Sequence, residues 1–120
     1  MGFYSIQSRT TDGNKGTFQV KLDAEHKVYE GHFPGQPVTP GVLQVRIIRD
    51  LIEEMVGRKM ELDTARSIKF IRFVDPRATD MLTVSIDILS YDDGIVQLRS
   101  DIADEDGPYF KMMAGFSERS

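Results

Sequence analysis

Apolar and polar residues alternate over residues 17–23 with the period of two that is typical of a β-strand with one buried face. Residues 3–7 lie upstream, and the sequence Asp12-Gly13-Asn14 between the two stretches is typical of a turn. We therefore expect residues 3–7 to pair with the 17–23 strand.

The period changes to that of an amphipathic helix after Thr39. Thr39 is a suitable N-cap, and Pro40 suits the first helical position, where its missing N–H costs no hydrogen bond. A helix of about 17 residues is predicted from there to Gly57. One broad side of it carries apolar residues, namely Val45, Ile47, Ile48, Leu51, Ile52, Met55 and Val56. So wide an apolar side predicts a helix that the rest of the chain largely encloses.

The remainder of the chain is rich in strand-forming residues. Four strands are predicted, at residues 66–74, 81–90, 95–101 and 109–116. The sequences that separate them are typical of turns, and residues 91–95 are expected to connect a hairpin. At least three of these strands should form an antiparallel meander. The pattern predicts an α+β fold in which one long helix packs on one antiparallel sheet.

Length and composition restrict the class of protein. A chain of 120 residues forms one domain, over residues 1–120, because two domains would each be too small to bury a core. No apolar run approaches the roughly 20 residues that span a bilayer, and the first residues do not form a secretory signal, so we expect a cytoplasmic protein. The absence of cysteine excludes a disulfide scaffold, a thiol nucleophile and a thiolate metal site.

Charge further limits the partners. The net charge of −4 argues against nucleic acid as the main ligand, because proteins that bind a phosphate backbone usually carry an excess of basic residues. Two histidines without cysteine also argue against a structural zinc site. We expect no metal.

The segment before the helix carries the candidate chemistry. Three prolines and three glycines fall between positions 31 and 41, which predicts a rigid loop that places His32 near the helix start. The free N–H groups of a first helical turn can hold an oxygen on which negative charge develops, and Gly41 would let a substrate approach the backbone closely. His32 could transfer a proton near neutral pH.

This segment resembles the signature H-F-P-G-x-P-x-x-P-G-V-L of the 3-hydroxyacyl-acyl carrier protein dehydratases of the hotdog superfamily. Nine residues match it, namely His32, Phe33, Pro34, Gly35, Pro37, Pro40, Gly41, Val42 and Leu43. Residues 70–76 are similar to the F-x-R-x-V-x-P strand of the same family, and Asp80 opens the next strand.

The resemblance implies a hotdog fold, in which a curved five- or six-stranded antiparallel sheet wraps one long central helix. It implies homodimers or higher homo-oligomers whose sheets join edge to edge, with the active site between subunits. The substrate would be an acyl thioester on the phosphopantetheine of acyl carrier protein, and no cofactor is implied. His32 would remove the C2 proton and the Gly41 N–H would bind the thioester oxygen. Contacts to the substrate are expected from Phe33, Pro40, Val42 and Arg46.

The sequence departs from the family at the acid that assists departure of the hydroxyl. The family has Glu or Asp fourteen positions after the histidine, where this chain has Arg46. A guanidinium stays protonated near neutral pH and cannot replace a carboxyl in proton transfer. Asp50 replaces the family's usual Gln one helical turn later, about 6 Å along the same face, and is the candidate substitute.

Structural explanations remain open beside the functional ones. Arg46 with Asp50, and Arg49 with Glu53, could simply form i, i+4 ion pairs on a solvated helix face. His32 could cap backbone groups of its loop. Gln44, the one polar residue on the apolar side of the helix, would either satisfy a buried backbone group or face the acyl channel.

Three functions are therefore considered. The first is dehydration of 3-hydroxyacyl thioesters on acyl carrier protein in fatty-acid-type synthesis. The second is a non-catalytic hotdog subunit that binds acyl carrier protein or acyl chains, which Arg46 favours, and the third is a hotdog acyl thioesterase. A surface for an acidic carrier protein would draw on the basic residues in the middle of the chain, namely Arg58, Lys59, Arg66, Lys69, Arg72 and Arg77.

Overall fold

One helix and one six-stranded antiparallel sheet make up the fold. The computed structural model describes residues 2–29, Thr39 and residues 41–119. The elements in chain order are β1 (Tyr4–Asp12), β2 (Lys15–Leu22), a 3-10 turn (Lys27–Tyr29), α1 (Gly41–Val56), β3 (Met60–Phe70), β4 (Met81–Asp92), β5 (Ile95–Asp104) and β6 (Gly107–Glu118). The strand order is β1-β2-β4-β5-β6-β3, with every neighbouring pair antiparallel. The predicted α+β class is confirmed, with six strands.

Two hairpins form at the turns that the sequence predicts. Asp92 pairs with Ile95, so that β4 and β5 are joined by Asp93 and Gly94 alone. Both of these residues have positive φ, 54° and 75°, which is the combination that a two-residue type I′ hairpin requires. The β1–β2 hairpin also has a two-residue connection, between Asp12 and Lys15, but of its two central residues only Gly13 has a positive φ, at 60°.

The third strand differs from its prediction in both of its bounds. β3 begins at Met60 instead of residue 66 and ends at Phe70 instead of residue 74. It lies at an edge of the sheet and is exposed over most of its length, so its first half has no buried face to impose an alternating pattern. The following residues leave the ladder, although the N–H groups of Ile71 and Arg72 both donate to the Tyr109 carbonyl.

The core lies between the apolar side of α1 and the concave face of the sheet. Five apolar residues of α1 are buried there, namely Leu43, Ile47, Ile48, Leu51 and Ile52. They pack in one cluster with inward-facing strand residues such as Phe18, Val84, Phe110 and Phe116. The helix ends at Val56, one residue short of the prediction, because Gly57 takes the left-handed conformation (φ 73°) that commonly stops a helix.

Within the described part of the chain, no helix has the length and apolar character needed to cross a membrane.

Candidate active site

The described part of the predicted site lies on α1, which carries Gly41, Val42, Arg46 and Asp50. His32, Phe33 and Pro40 fall outside the described residues. Their roles in proton transfer and substrate contact therefore stay predictions, and the site is built here from the helix and its neighbours.

A pair of buried hydroxyls joins the two ends of the segment that carries His32. The oxygen atoms of Tyr29 and Thr39 lie 2.9 Å apart, and the two residues are 5% and 2% exposed. The Thr39 N–H donates to the Val74 carbonyl at 2.8 Å, which attaches the start of the helix to the stretch after β3. Burial raises the pKa of Tyr29, so its hydroxyl stays protonated and can donate.

At the start of α1, Gly41 leaves space that an aromatic ring occupies. A Cβ atom at this position would lie 2.3 Å from Cε1 and 2.4 Å from Cζ of Phe70. That ring packs edge to face against Phe110, with 5.2 Å between centroids. The N–H groups of the first turn have no partner within the helix, so the start of α1 can still bind an oxygen atom. The sequence missed the contact with Phe70, and the role of the Gly41 N–H as an oxyanion donor stays a prediction.

An exposed apolar surface surrounds the helix start. Val42 is 72% exposed, and Phe70, in contact range of Gly41, is 63% exposed. Ile71 and Phe73 continue it along the chain at 47% and 82% exposure. Surfaces of this kind commonly mark an interaction site, so Val42 lies where a partner or a substrate can reach it.

Strand β1 covers the helix face that carries the family's acid position. The Arg46 guanidinium carbon lies 6.0 Å from the ring centroid of Phe3, just before β1. One turn later, the Tyr4 hydroxyl donates to Oδ2 of Asp50 at 2.7 Å. One turn further, Arg9 forms a 2.9 Å ion pair with Glu54.

These contacts correct the predicted ion pairs along the helix. Asp50 pairs with the neighbouring Arg49 at 3.3 Å and with Tyr4, not with Arg46. Glu53 accepts a hydrogen bond from the N–H of Met60 at 2.9 Å and so fixes the start of β3. The charged residues on this face of α1 therefore contact β1 and β3, because the sheet brings both strands close to the helix.

Both carboxylate oxygens of Asp50 accept hydrogen bonds, Oδ2 from Tyr4 and Oδ1 from Arg49. Asp50 is thereby held by two side chains of this protein, although each of its oxygens keeps a second lone pair. Burial, followed by the hydrogen bond to Asp50, raises the pKa of Tyr4, so this hydroxyl also holds its proton firmly. Asp50 and Arg46 both line an open cavity of about 310 Å³ together with Phe3, Tyr4 and Arg9.

Tyr4 and Phe3 are the site residues that sequence reasoning missed. Tyr4 lies 46 positions from Asp50, and no local spacing connects them. The only available signal was the expected pairing of residues 3–7 with the second strand. That pairing does not specify which helix residues the side chains of the first strand contact.

Some cations of the predicted basic surface bind acidic or carbonyl groups of the same chain. Arg72 donates to Asp104 at 2.8 Å and to the Gly107 carbonyl at 2.6 Å, and its guanidinium carbon lies 3.9 Å from the centroid of the Tyr109 ring. It therefore fastens the β5–β6 turn. Arg58 pairs with Glu118 at 3.1 Å. Arg72 is the half-buried member of the set, and the other five cations are all exposed.

Comparison with protein families gives one matching model, described as ApeI-like, ApeI dehydratase, over residues 8–106. Among curated proteins, the chain is 31% identical over 84 residues to the 3-hydroxyacyl-[acyl-carrier-protein] dehydratase FabZ of Clostridium acetobutylicum, covering 64% of this chain and 58% of that protein. The FabZ of Oenococcus oeni is 30% identical over 84 residues, covering 64% and 60%. The chain thus spans about three-fifths of the length of these relatives.

Solved structures share the architecture. The dehydratase heterocomplex ApeI:P from Xenorhabdus doucetiae aligns with a TM-score of 0.76 at 19% identity, covering 95% of this chain and 97% of that one. A hypothetical thioesterase with coenzyme A from Streptococcus pneumoniae aligns with a TM-score of 0.65 at 14% identity, covering 98% and 88%. These likenesses show a shared fold, that of a helix wrapped by a curved antiparallel sheet, as the sequence predicts.

Proposed function

Because the chain belongs to the ApeI-like dehydratase family of hotdog proteins, we propose that it dehydrates 3-hydroxyacyl thioesters carried on acyl carrier protein to 2-enoyl thioesters. The FabZ relatives, which are named for this reaction, support the proposal. The observation that supports it is that α1 begins at Gly41, since the free N–H groups of the first turn then belong to the second half of the His32 motif.

The proposed reaction uses the helix start as its oxyanion site. His32 takes the C2 proton of the substrate, and the developing charge on the thioester oxygen is stabilised by the Gly41 N–H. The C2 electron pair then forms the C2–C3 double bond while the C3–O bond breaks. The leaving hydroxide takes a proton and departs as water. Asp50, the donor that the sequence nominates, is engaged by Tyr4 and Arg49, so solvent water supplies this proton and the His32 imidazolium returns its own proton to solvent.

A second function is favoured by the acid position itself. Arg46 occupies the family's acid position, and Asp50 is engaged by Tyr4 and Arg49. In this alternative the chain binds the acyl thioester and is paired with a second hotdog subunit that supplies the acid. The Xenorhabdus doucetiae relative is itself described as a heterocomplex.

Either function requires a partner along one edge of the sheet. β3 is an edge strand, and it carries exposed Leu62 and Phe70. We propose that a second hotdog subunit, identical or related, joins the sheet there and covers the apolar surface at the helix start. Unpaired backbone groups on an edge strand are suited to such pairing.

The test is hydration of 2-enoyl thioesters of several chain lengths, the reverse and more easily followed direction. His32→Ala should lower the rate by about 10²-fold or more, the usual cost of a lost acid or base. His26→Asn is the matched control, because it removes the chain's other histidine while its side-chain oxygen can still accept from the Val28 N–H, and it should leave the rate unchanged.

The remaining outcomes separate the alternatives. Release of free thiol from saturated acyl thioesters would identify a thioesterase and contradict the dehydratase proposal. Binding of acyl thioesters without hydration, restored when a second hotdog subunit is added, would support the second function.

A further inference from the structure

A buried amide on the apolar side of α1 has one unused hydrogen-bonding atom. Gln44 is 3% exposed and is flanked on its helix by buried Leu43, Ile47 and Ile48. Its Nε2 donates to the Thr39 carbonyl at 3.1 Å. Its Oε1 is buried and has no hydrogen-bond partner among the residues that the structure describes. The carbonyl of Thr39 can only accept, so the amide nitrogen must face it, and the free atom is an acceptor.

A buried acceptor without a donor is unfavourable for folding. A methionine or leucine at position 44 would fill a similar volume and carry no such acceptor. The amide is therefore poorly explained by packing of the free protein, and a ligand that donates a hydrogen bond would explain it.

The position of the amide is fixed at the start of the helix. Gln44 follows Gly41 by three residues and shares its face of α1, and helical side chains slope toward the N-terminal end. Its hydrogen bond to Thr39 shows that the side chain takes this direction. Thr39 is held in turn by the Tyr29 hydroxyl and the Val74 carbonyl. The helix start thus offers free N–H donors and, one turn away, a rigidly held acceptor.

We propose that Gln44 Oε1 accepts a hydrogen bond from the 3-hydroxyl of the acyl thioester, which makes Gln44 a specificity-determining residue. The inference rests on the proposed function: with the thioester oxygen on the Gly41 N–H, the hydroxyl two carbons away extends toward the next turn. The hydroxyl is a donor that the saturated thioester and the 2-enoyl product both lack. Gln44 would therefore favour substrate over product.

Binding is measured by calorimetry in the His32→Ala protein, so that turnover does not change the ligand. The probes are the 3-hydroxyacyl and the saturated acyl thioesters of pantetheine, equal in chain length. Gln44→Met should weaken binding of the 3-hydroxyacyl probe by about tenfold and leave the saturated probe unchanged. Gln97→Met, which removes an amide from β5, is the control and should change neither affinity.

Other results overturn the inference. An equal loss for both probes would assign the donor to the pantetheine amide, which they share, and no loss for either would show that the acceptor binds no ligand. If Gln44→Met unfolds at a lower temperature with both affinities unchanged, the amide has a purely structural role. If neither Gln44→Met nor Gln44→Leu folds, the amide is required for folding and the assignment fails.

The same data separate this inference from the proposed function. A His32→Ala protein that binds neither probe would contradict both. One that binds both probes, with affinities unaffected by Gln44→Met, would contradict the role of Gln44 alone.

Discussion

The phenolic oxygen of Tyr4 lies 2.7 Å from Oδ2 of Asp50, across the contact between the first strand and the helix. This hydrogen bond occupies the carboxyl that the sequence nominates as a substitute acid. Arg46 lies one turn earlier on the helix, at the position where the family resemblance implies a carboxylic acid. The helix therefore carries a cation at that position, and its nearest carboxylate is already hydrogen-bonded.

Arg46→Glu should raise the rate of 2-enoyl thioester hydration by about 10²-fold or more, because it places a carboxyl at the family's acid position. Steady-state kinetics on the purified variant measure the change. Lys59→Glu, at an exposed position just after the helix, is the charge-matched control and should not raise the rate. A folded Arg46→Glu protein that binds thioester and turns over nothing would favour the non-catalytic subunit.

Asp50→Asn should change the hydration rate little, because both carboxylate oxygens are already hydrogen-bonded within the chain. The same kinetic assay measures it. A loss of 10²-fold or more would show instead that Asp50 has taken over proton transfer. In that case Tyr4→Phe, which frees Oδ2, should alter the pH profile of the reaction.

Tyr4→Phe should lower the free energy of unfolding by about 1–2 kcal/mol, since it removes a part-buried hydrogen bond to a charged group. Urea denaturation followed by circular dichroism measures the difference. The effect should largely disappear in an Asp50→Asn background if the two side chains act as a pair. Equal effects in both backgrounds would contradict the coupling.

Gly41→Ala should destabilise the chain by about 1 kcal/mol, because the added Cβ overlaps the Phe70 ring, which is exposed enough to move. Thermal unfolding should show recovery in the Gly41→Ala/Phe70→Ala double variant. If hydration stays slow in that double variant while Phe70→Ala alone is active, the loss is due to blocked approach of the thioester. Full activity in the double variant would limit Gly41 to a packing role.

Acid stability should depend on Asp104. The hydrogen bond from Tyr109, followed by that from Arg72, lowers the pKa of Asp104 to about 2 from 3.8. The folded state thus holds its proton less tightly than the unfolded state. The resulting stabilisation is complete above about pH 4 and is lost as pH falls toward about 2. The gap in melting temperature between wild type and Asp104→Asn should therefore narrow over that range. A constant gap would contradict the assignment.

What could be predicted from the sequence depended on how local the determining contacts are. The amphipathic period of α1 and the Asp93-Gly94 turn are properties of short segments, so both were predicted closely. The first half of β3 escaped prediction because an exposed edge strand needs no alternation. The surroundings of Arg46 and Asp50 escaped for a different reason, since they come from β1, which is distant in the chain.

Within the site, the sequence identified the important residues but not the residues that they contact. The sequence identified Gln44 as the one polar residue on the apolar face of the helix. One of its two predicted roles was to satisfy a buried backbone group, and its amide does donate to the Thr39 carbonyl. That its oxygen lacks a donor follows from three-dimensional packing alone. Gly41 likewise matched a motif, but its contact with Phe70 depends on where β3 ends.

The strand order has a consequence for how the molecule assembles. β3 precedes β4 in the chain yet pairs with β6. The backbone pairing of Phe70 with Phe110 can therefore form only after β6 has been synthesised. During synthesis, the helix start and its exposed aromatic residues emerge well before the strand that completes the sheet beside them. Pairings between distant segments form slowly because their loop entropy is lost before contacts are gained. Folding of the site is therefore tied to β6, and a chain that stops before residue 107 lacks both the partner of β3 and the core residues Phe110 and Phe116.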